Sequence, residues 1–126
     1  MFIVNNDMSI CVTRGDIIAL SLSVDDNGSA YTFNTGDLVR IKVFGKKDCN
    51  TVFLKKDFPV TSQTKSVDIF LSGEETKIGS IINKPTEYWY EVELNPDTYP
   101  QTILGYDEDG PKIFKLFPEG ADTNDQ

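Results

Sequence analysis

Thr86-Glu87-Tyr88-Trp89-Tyr90-Glu91-Val92-Glu93-Leu94 is the stretch whose reading decides the fold. Large apolar side chains recur on its even positions and carboxylates on its odd ones, and successive side chains of a strand point to opposite faces of a sheet. The stretch therefore predicts a strand with Tyr88, Tyr90, Val92 and Leu94 on a core, and Glu87, Trp89, Glu91 and Glu93 on the other face. Trp89 is the exception to the pattern, a large aromatic among carboxylates.

Working outward, the same period of two recurs on both sides. Upstream, Ser9 to Val12 reads as a first short strand after a lead-in, and Thr13-Arg14-Gly15-Asp16 interrupts it with turn-forming residues. Ile18, Leu20, Leu22 and Val24 alternate with Ala19, Ser21 and Ser23, as do Val39, Ile41 and Val43 with Arg40 and Lys42, whose charged heads belong in solvent. Thr51 to Val60 is a weaker strand in which Pro59 must sit at an end or an edge, because it has no N–H for the ladder. Val67, Ile69 and Leu71 mark another strand. Downstream, Thr102 to Tyr106 and Ile113 to Phe117 are extended. Asp25-Asp26-Asn27-Gly28 is a hairpin turn, Asn34-Thr35-Gly36-Asp37 and Asp107-Glu108-Asp109-Gly110-Pro111 are further turns, and Tyr31-Thr32-Phe33 is an edge strand or an extended connection. Helix-start chemistry occurs once, at Ser72-Gly73-Glu74-Glu75, and Gly79 limits it to a short helical turn near residues 73–79.

This count of about eight strands with turns every eight to twelve residues predicts an all-β fold, an antiparallel β-sandwich or barrel. Residues 1–118 form a single domain, and the acidic segment 119–126, without a large apolar residue, is expected to be a flexible tail. At 126 residues one core is the natural number.

Composition narrows the function. The net charge of −8 argues against a partner bound through its phosphates, nucleic acid above all, and against anionic membrane surfaces. There is no apolar run long enough to span a bilayer and no secretion signal at the start of the chain, so a soluble protein is expected. With no histidine in the chain, the commonest general base, the commonest zinc ligand and every Ser-His or Cys-His pair are gone. Cys11 and Cys49 have no metal-like spacing and read as two reduced thiols, with a bridge between them as the alternative.

Three constellations carry chemistry on paper. Glu91 and Glu93, two apart on one face, stand about 7 Å apart at strand rise, a spacing that suits an inverting glycosidase, yet nothing desolvates either carboxyl, and solvent-facing sheet positions account for them. The acidic turns at Asp25 and Asp107 offer oxygen ligands to calcium, but neither fits the twelve-residue calcium loop, and such turns serve the backbone alone. Arg14-Gly15-Asp16 matches the integrin-binding tripeptide, while its glycine and aspartate also suit a bend at a strand entrance. No catalytic, cofactor-binding or metal-binding residue is therefore assigned. Trp89, with Glu87, Glu91 and Glu93 around it, is the candidate interface or ligand-binding site: it is covered by the chain itself, by another subunit or by a sugar.

Taken together, Thr13-Arg14-Gly15-Asp16 before one alternating strand, Tyr31-Thr32-Phe33-Asn34-Thr35-Gly36-Asp37-Leu38-Val39 before a second, and Ser72-Gly73-Glu74-Glu75-Thr76 before Tyr88-Trp89-Tyr90-Glu91-Val92 resemble a family in their order and spacing. It is the group of small prophage domains of Gram-positive bacteria that are similar to the N-terminal module of the phage upper baseplate protein, and the resemblance spans about residues 9 to 117. It implies an immunoglobulin-like sandwich and a non-enzymatic virion component of the tail or baseplate. Such a protein works by protein–protein assembly with other virion proteins or with copies of itself, as a homo-oligomer, without a cofactor. It resides in the virion and, during assembly, in the host bacterial cytoplasm. Two departures stand out. Family members place a Gly-x-Tyr step directly before the Tyr-rich strand, whereas here Gly79 leads into Ser80-Ile81-Ile82-Asn83-Lys84-Pro85. Family proteins also continue into further domains, and this chain is expected to be a stand-alone module. The alternative is a carbohydrate-binding or host-surface-binding β-sandwich that uses Trp89 and its neighbouring carboxylates.

Overall fold

The structure, a computed structural model, describes residues 1–46, 50–80 and 82–119. The pivotal stretch is strand Thr86–Leu94 (β9), with the predicted ends, and Tyr88, Tyr90, Val92 and Leu94 are buried. Chain order gives β1 (Phe2–Val4), β2 (Ile10–Thr13), β3 (Ile18–Leu22), β4 (Asp25–Asp26), β5 (Ser29–Ala30), β6 (Leu38–Phe44), β7 (Val52–Pro59), β8 (Val67–Leu71), β10 (Gln101–Leu104) and β11 (Lys112–Phe117).

β9 has neighbours along both edges. One edge is held by β6, from Val39 opposite Leu94 to Phe44 opposite Trp89. The other is shared: β11 pairs with Thr86 to Tyr90, and β10 pairs with Val92 to Leu94 through a bulge between Thr102 and Leu104. The seven-stranded sheet runs β1-β2-β11-β9-β6-β7, with β10 beside β9. β3 and β8 form the opposing layer, with Ile18, Leu20 and Leu22 across from Leu71, Ile69 and Val67. The apolar faces of the two layers meet in one core, in which Phe33, Phe114, Ile18, Ile41, Ile69 and Leu71 are the largest enclosed side chains.

The fold is all-β and sandwich-like, as expected, with three differences. The large sheet is mixed, because β2 and β11 run parallel. Phe2–Val4, read as lead-in, pairs with β2. The helical signal at Ser72 builds a single turn: Ser72 and Glu75 exchange the side-chain-to-backbone bonds of a capping box (2.8 and 3.2 Å), and Thr76 N–H donates to Ser72 C=O at 3.1 Å. No helix follows among the described residues, because the next partner of this turn is tertiary. Thr76, wholly buried, donates to Asp16 C=O at 2.7 Å and accepts from Gly15 N–H at 3.1 Å. Gly73 lies so close to this bend that a Cβ there would stand 2.5 Å from Gly15 O.

The turn chemistry holds where it was read. Asn27 and Gly28 adopt positive φ (54° and 86°) between the two-residue strands β4 and β5, a geometry that favours Asn-Gly. Pro59 ends β7, the outermost strand on its side of the sheet. Residues 120–126 of the expected tail lie outside the described residues, as does Cys49; Cys11 is a free thiol. Glu119, assigned to the tail, instead pairs with the nearly buried Arg14 at 3.4 Å.

Candidate functional site

The outward face of the large sheet carries the residues singled out in β9, and register decides what each meets. Directly across the ladder, Arg40 faces Glu93 and Lys42 faces Glu91, and on its far side Arg40 faces Asp57. Opposite charges on facing strands attract across the ladder. Lys42 Nζ lies 3.1 Å from Glu91 Oε1 and 3.2 Å from Glu93 Oε1. The second contact is an ion pair without hydrogen-bond alignment, so that Glu93 oxygen is buried with no hydrogen-bond donor. Burial works against the charge of Lys42, and the two carboxylates outweigh it, leaving its pKa raised.

Arg40 clamps two further acids. Its Nε and Nη2 take Asp57 at 2.6 and 3.1 Å, and Nη1 and Nη2 take Asp97 at 3.2 and 3.0 Å. These bonds raise the guanidinium pKa, and the Arg40 hydrogen bonds lower that of Asp57. Arg40 and Lys42, expected to reach into solvent, instead lie under this carboxylate cover, with side chains only 11% and 27% exposed. The reason is cross-strand pairing, which the order of residues along one strand does not reveal.

Next to the charged rows runs an apolar one. Val52 faces Phe44, Phe44 faces Trp89 and Trp89 faces Ile113, so four strands contribute one stripe to the outer surface. Trp89 is half-buried, because Phe44 and Tyr106 pack edge-on against it at centroid distances of 6.5 and 5.8 Å. The chain itself therefore supplies part of its cover. Tyr106 is 72% exposed and Val52 47%, so the stripe still meets solvent. Glu87, at the rim, pairs with Lys46 at 3.1 Å.

Trp89, Glu87, Glu91 and Glu93 thus share one face, as read, but in different company: the glutamates serve ion pairs, and the tryptophan belongs to an aromatic stripe. Phe44, Val52, Tyr106 and Ile113 were missed. Phe44 and Ile113 carry the outward parity of their strands, a signal open to sequence reading; their alignment with Trp89 needs the register.

Two of the remaining sequence candidates are spent on structure. Arg14 is 9% exposed and donates to the carbonyls of Ile78 and Gly79 (3.4 and 3.1 Å), while Asp16 meets the Met1 ammonium, so the tripeptide is not displayed as an integrin ligand. Asp107 accepts from Asp109 N–H at 2.9 Å and from Lys112 Nζ at 2.8 Å, bonds that lower its pKa, the Lys112 bond foremost. Asp25 and Asp26 line a separate cleft of about 530 Å³ with Gln101 and Tyr99, which is 84% exposed. No group of three or more metal-ligating side chains is found among the described residues. None of their helices is long and apolar enough to cross a membrane.

The class the fold defines is an all-β, two-layered protein with an aromatic stripe on its outer sheet face. Comparison of the chain with protein-family models, with curated proteins and with solved structures finds no match.

Proposed function

We propose that this protein is a non-catalytic docking module that builds a larger assembly through protein–protein contact. The observation that carries the reading is the Val52, Phe44, Trp89, Ile113 stripe with Tyr106 beside it, an aromatic-centred apolar surface rimmed by ion pairs. Aromatic anchors in a polar rim are the composition of protein interfaces rather than of solvated sheet faces. The ion pairs support the same reading, since carboxylates held by Lys42 and Arg40 are poorly placed to move protons. Stacking of a sugar on Trp89 is the lesser reading, because Phe44 and Tyr106 already take the ring's neighbourhood and Lys42 takes the carboxylates a sugar would use.

The resemblance to phage upper baseplate modules supplies the context: a tail or baseplate component of a phage or prophage virion, immunoglobulin-like in topology, assembling with copies of itself or with other virion proteins. Sedimentation equilibrium at tens of micromolar tests self-assembly. The wild type should sediment as an oligomer and a Val52→Ser/Tyr106→Ser variant as a monomer with an unchanged circular dichroism spectrum. A monomeric wild type, or a variant that still assembles, removes self-assembly through the stripe.

A further inference from the structure

The smaller layer has one edge that no other strand of the described residues closes. β3 pairs with β8 and with no other strand among the described residues. The opposite edge of this layer is partly capped, since Lys56 Nζ donates to Phe70 C=O at 2.8 Å. A free strand edge is a row of unpaired N–H and C=O groups, and proteins usually blunt it with charge, proline or brevity. The outermost strands of the large sheet follow that rule: β7 carries Lys55, Lys56, Asp57 and Pro59, and β1 has three residues. β3 does not. Ile18 to Val24 contains neither charge nor proline, and its outward side chains are the small Ala19, Ser21 and Ser23.

Beside this edge lies an apolar groove of about 340 Å³. Consecutive residues Leu20 to Ser23 line it, so one wall is the strand's backbone edge rather than one of its faces. Val4 and Met8 also line it, together with Ile41, Tyr90 and Val92. Val4 is 42% exposed. Met8 is held at φ 69° while Tyr90 Oη donates to its carbonyl at 2.5 Å, which sets an adaptable thioether at the mouth.

We infer that this edge and groove receive an extended segment of a different polypeptide, which adds as a strand to β3 and directs every second, apolar side chain into the groove. Strand addition takes affinity from main-chain hydrogen bonds and specificity from alternate side-chain pockets, and both features are present side by side here. Exposed carboxylates adjoin the lining residues along the chain, Asp7 directly before Met8, and Asp25 and Asp26 two and three positions after Ser23, so the segment carries lysine or arginine beside its apolar residues. A second copy of this chain fits poorly. Antiparallel pairing of two β3 edges would bring Asp16 of each copy near Asp25 and Asp26 of the other, and a β3 already packed on its own core has no side chain to lend.

This surface is distinct from the outer-face stripe, and its test reads independently of self-assembly. The probe is a labelled synthetic peptide, Lys-Val-Thr-Leu-Thr-Val-Thr-Leu-Lys, followed by fluorescence anisotropy and by amide hydrogen exchange of the whole chain. The expected result is saturable binding with slowed exchange in β3, residues 18–22. A peptide of the same composition with its apolar residues in one block, and a peptide with glutamate in place of both lysines, should each bind at least tenfold more weakly. Val4→Asp and Met8→Asn, both at exposed positions and the second suited to positive φ, should weaken binding at least tenfold with unchanged thermal midpoints. The Val52→Ser/Tyr106→Ser variant should bind like the wild type. Absence of binding, equal affinity for the blocked peptide, protection outside β3, or wild-type affinity in Val4→Asp and Met8→Asn would each overturn the inference.

Discussion

At the scale of single residues, Tyr90 shows how parity and tertiary placement divide the work. Its even position in β9 directs it to the core, and burial pushes its phenol up to about 12. Its hydroxyl bond to Met8, 82 positions away, comes from the fold alone. A pKa raised in the folded state favours the protonated form there, so the contribution to stability is complete below the unfolded value of about 10 and is lost as pH rises through 12. Chemical denaturation at a series of pH values should show stability falling across that window, with a shallower fall in Tyr90→Phe. That variant should also lose about 1 kcal/mol at neutral pH with the Met8 hydrogen bond. Phe33 makes the opposite point. Its short segment left edge strand and connection both open, yet it is fully buried, because backbone bonds of 2.7 and 3.0 Å to Thr64 anchor it.

At the scale of elements, the β6–β9 ladder couples charge to register. Lys42 serves two carboxylates at once, and removing it leaves Glu91 and Glu93 side by side under partial cover without their shared cation. Lys42→Met should therefore cost about 1–3 kcal/mol in urea denaturation. Adding Glu91→Gln and Glu93→Gln should return most of that loss; a triple variant no more stable than the single one would show that the cost comes from packing of the lysine stem. The end of the same ladder is tied by Asp37, which accepts from Asn34 N–H at 2.9 Å, from Tyr31 Oη at 3.1 Å and from Asn95 Nδ2 at 3.1 Å. Asn95 in turn accepts from Leu38 N–H at 2.8 Å with φ at 51°, so a turn residue after β9 also sets the start of β6.

At the scale of the whole molecule, the lowered carboxylates add up to an acid limit. The Asn34 amide lowers the pKa of Asp37, the Arg40 guanidinium that of Asp57, and the Lys56 ammonium that of Glu75. A depressed folded pKa contributes stability above the unfolded value of about 4, and that stability is lost as pH falls through the folded one. Melting temperature should therefore hold from pH 7 to about 5 and drop below about 4, with a smaller drop in Asp57→Asn. The strands were largely legible in the sequence, since β8 and β9 have the predicted ends and alternation needs only the two-residue period of extended backbone. So was the outward face of β9. Which strand lies beside which is set by contacts far apart along the chain, and no local pattern encodes them. Tertiary structure alone aligned Val52, Phe44, Trp89 and Ile113 into a stripe and gave Glu91 and Glu93 to Lys42. It also ran β2 parallel to β11, and it left the uncharged edge of β3 without a neighbour among the described residues.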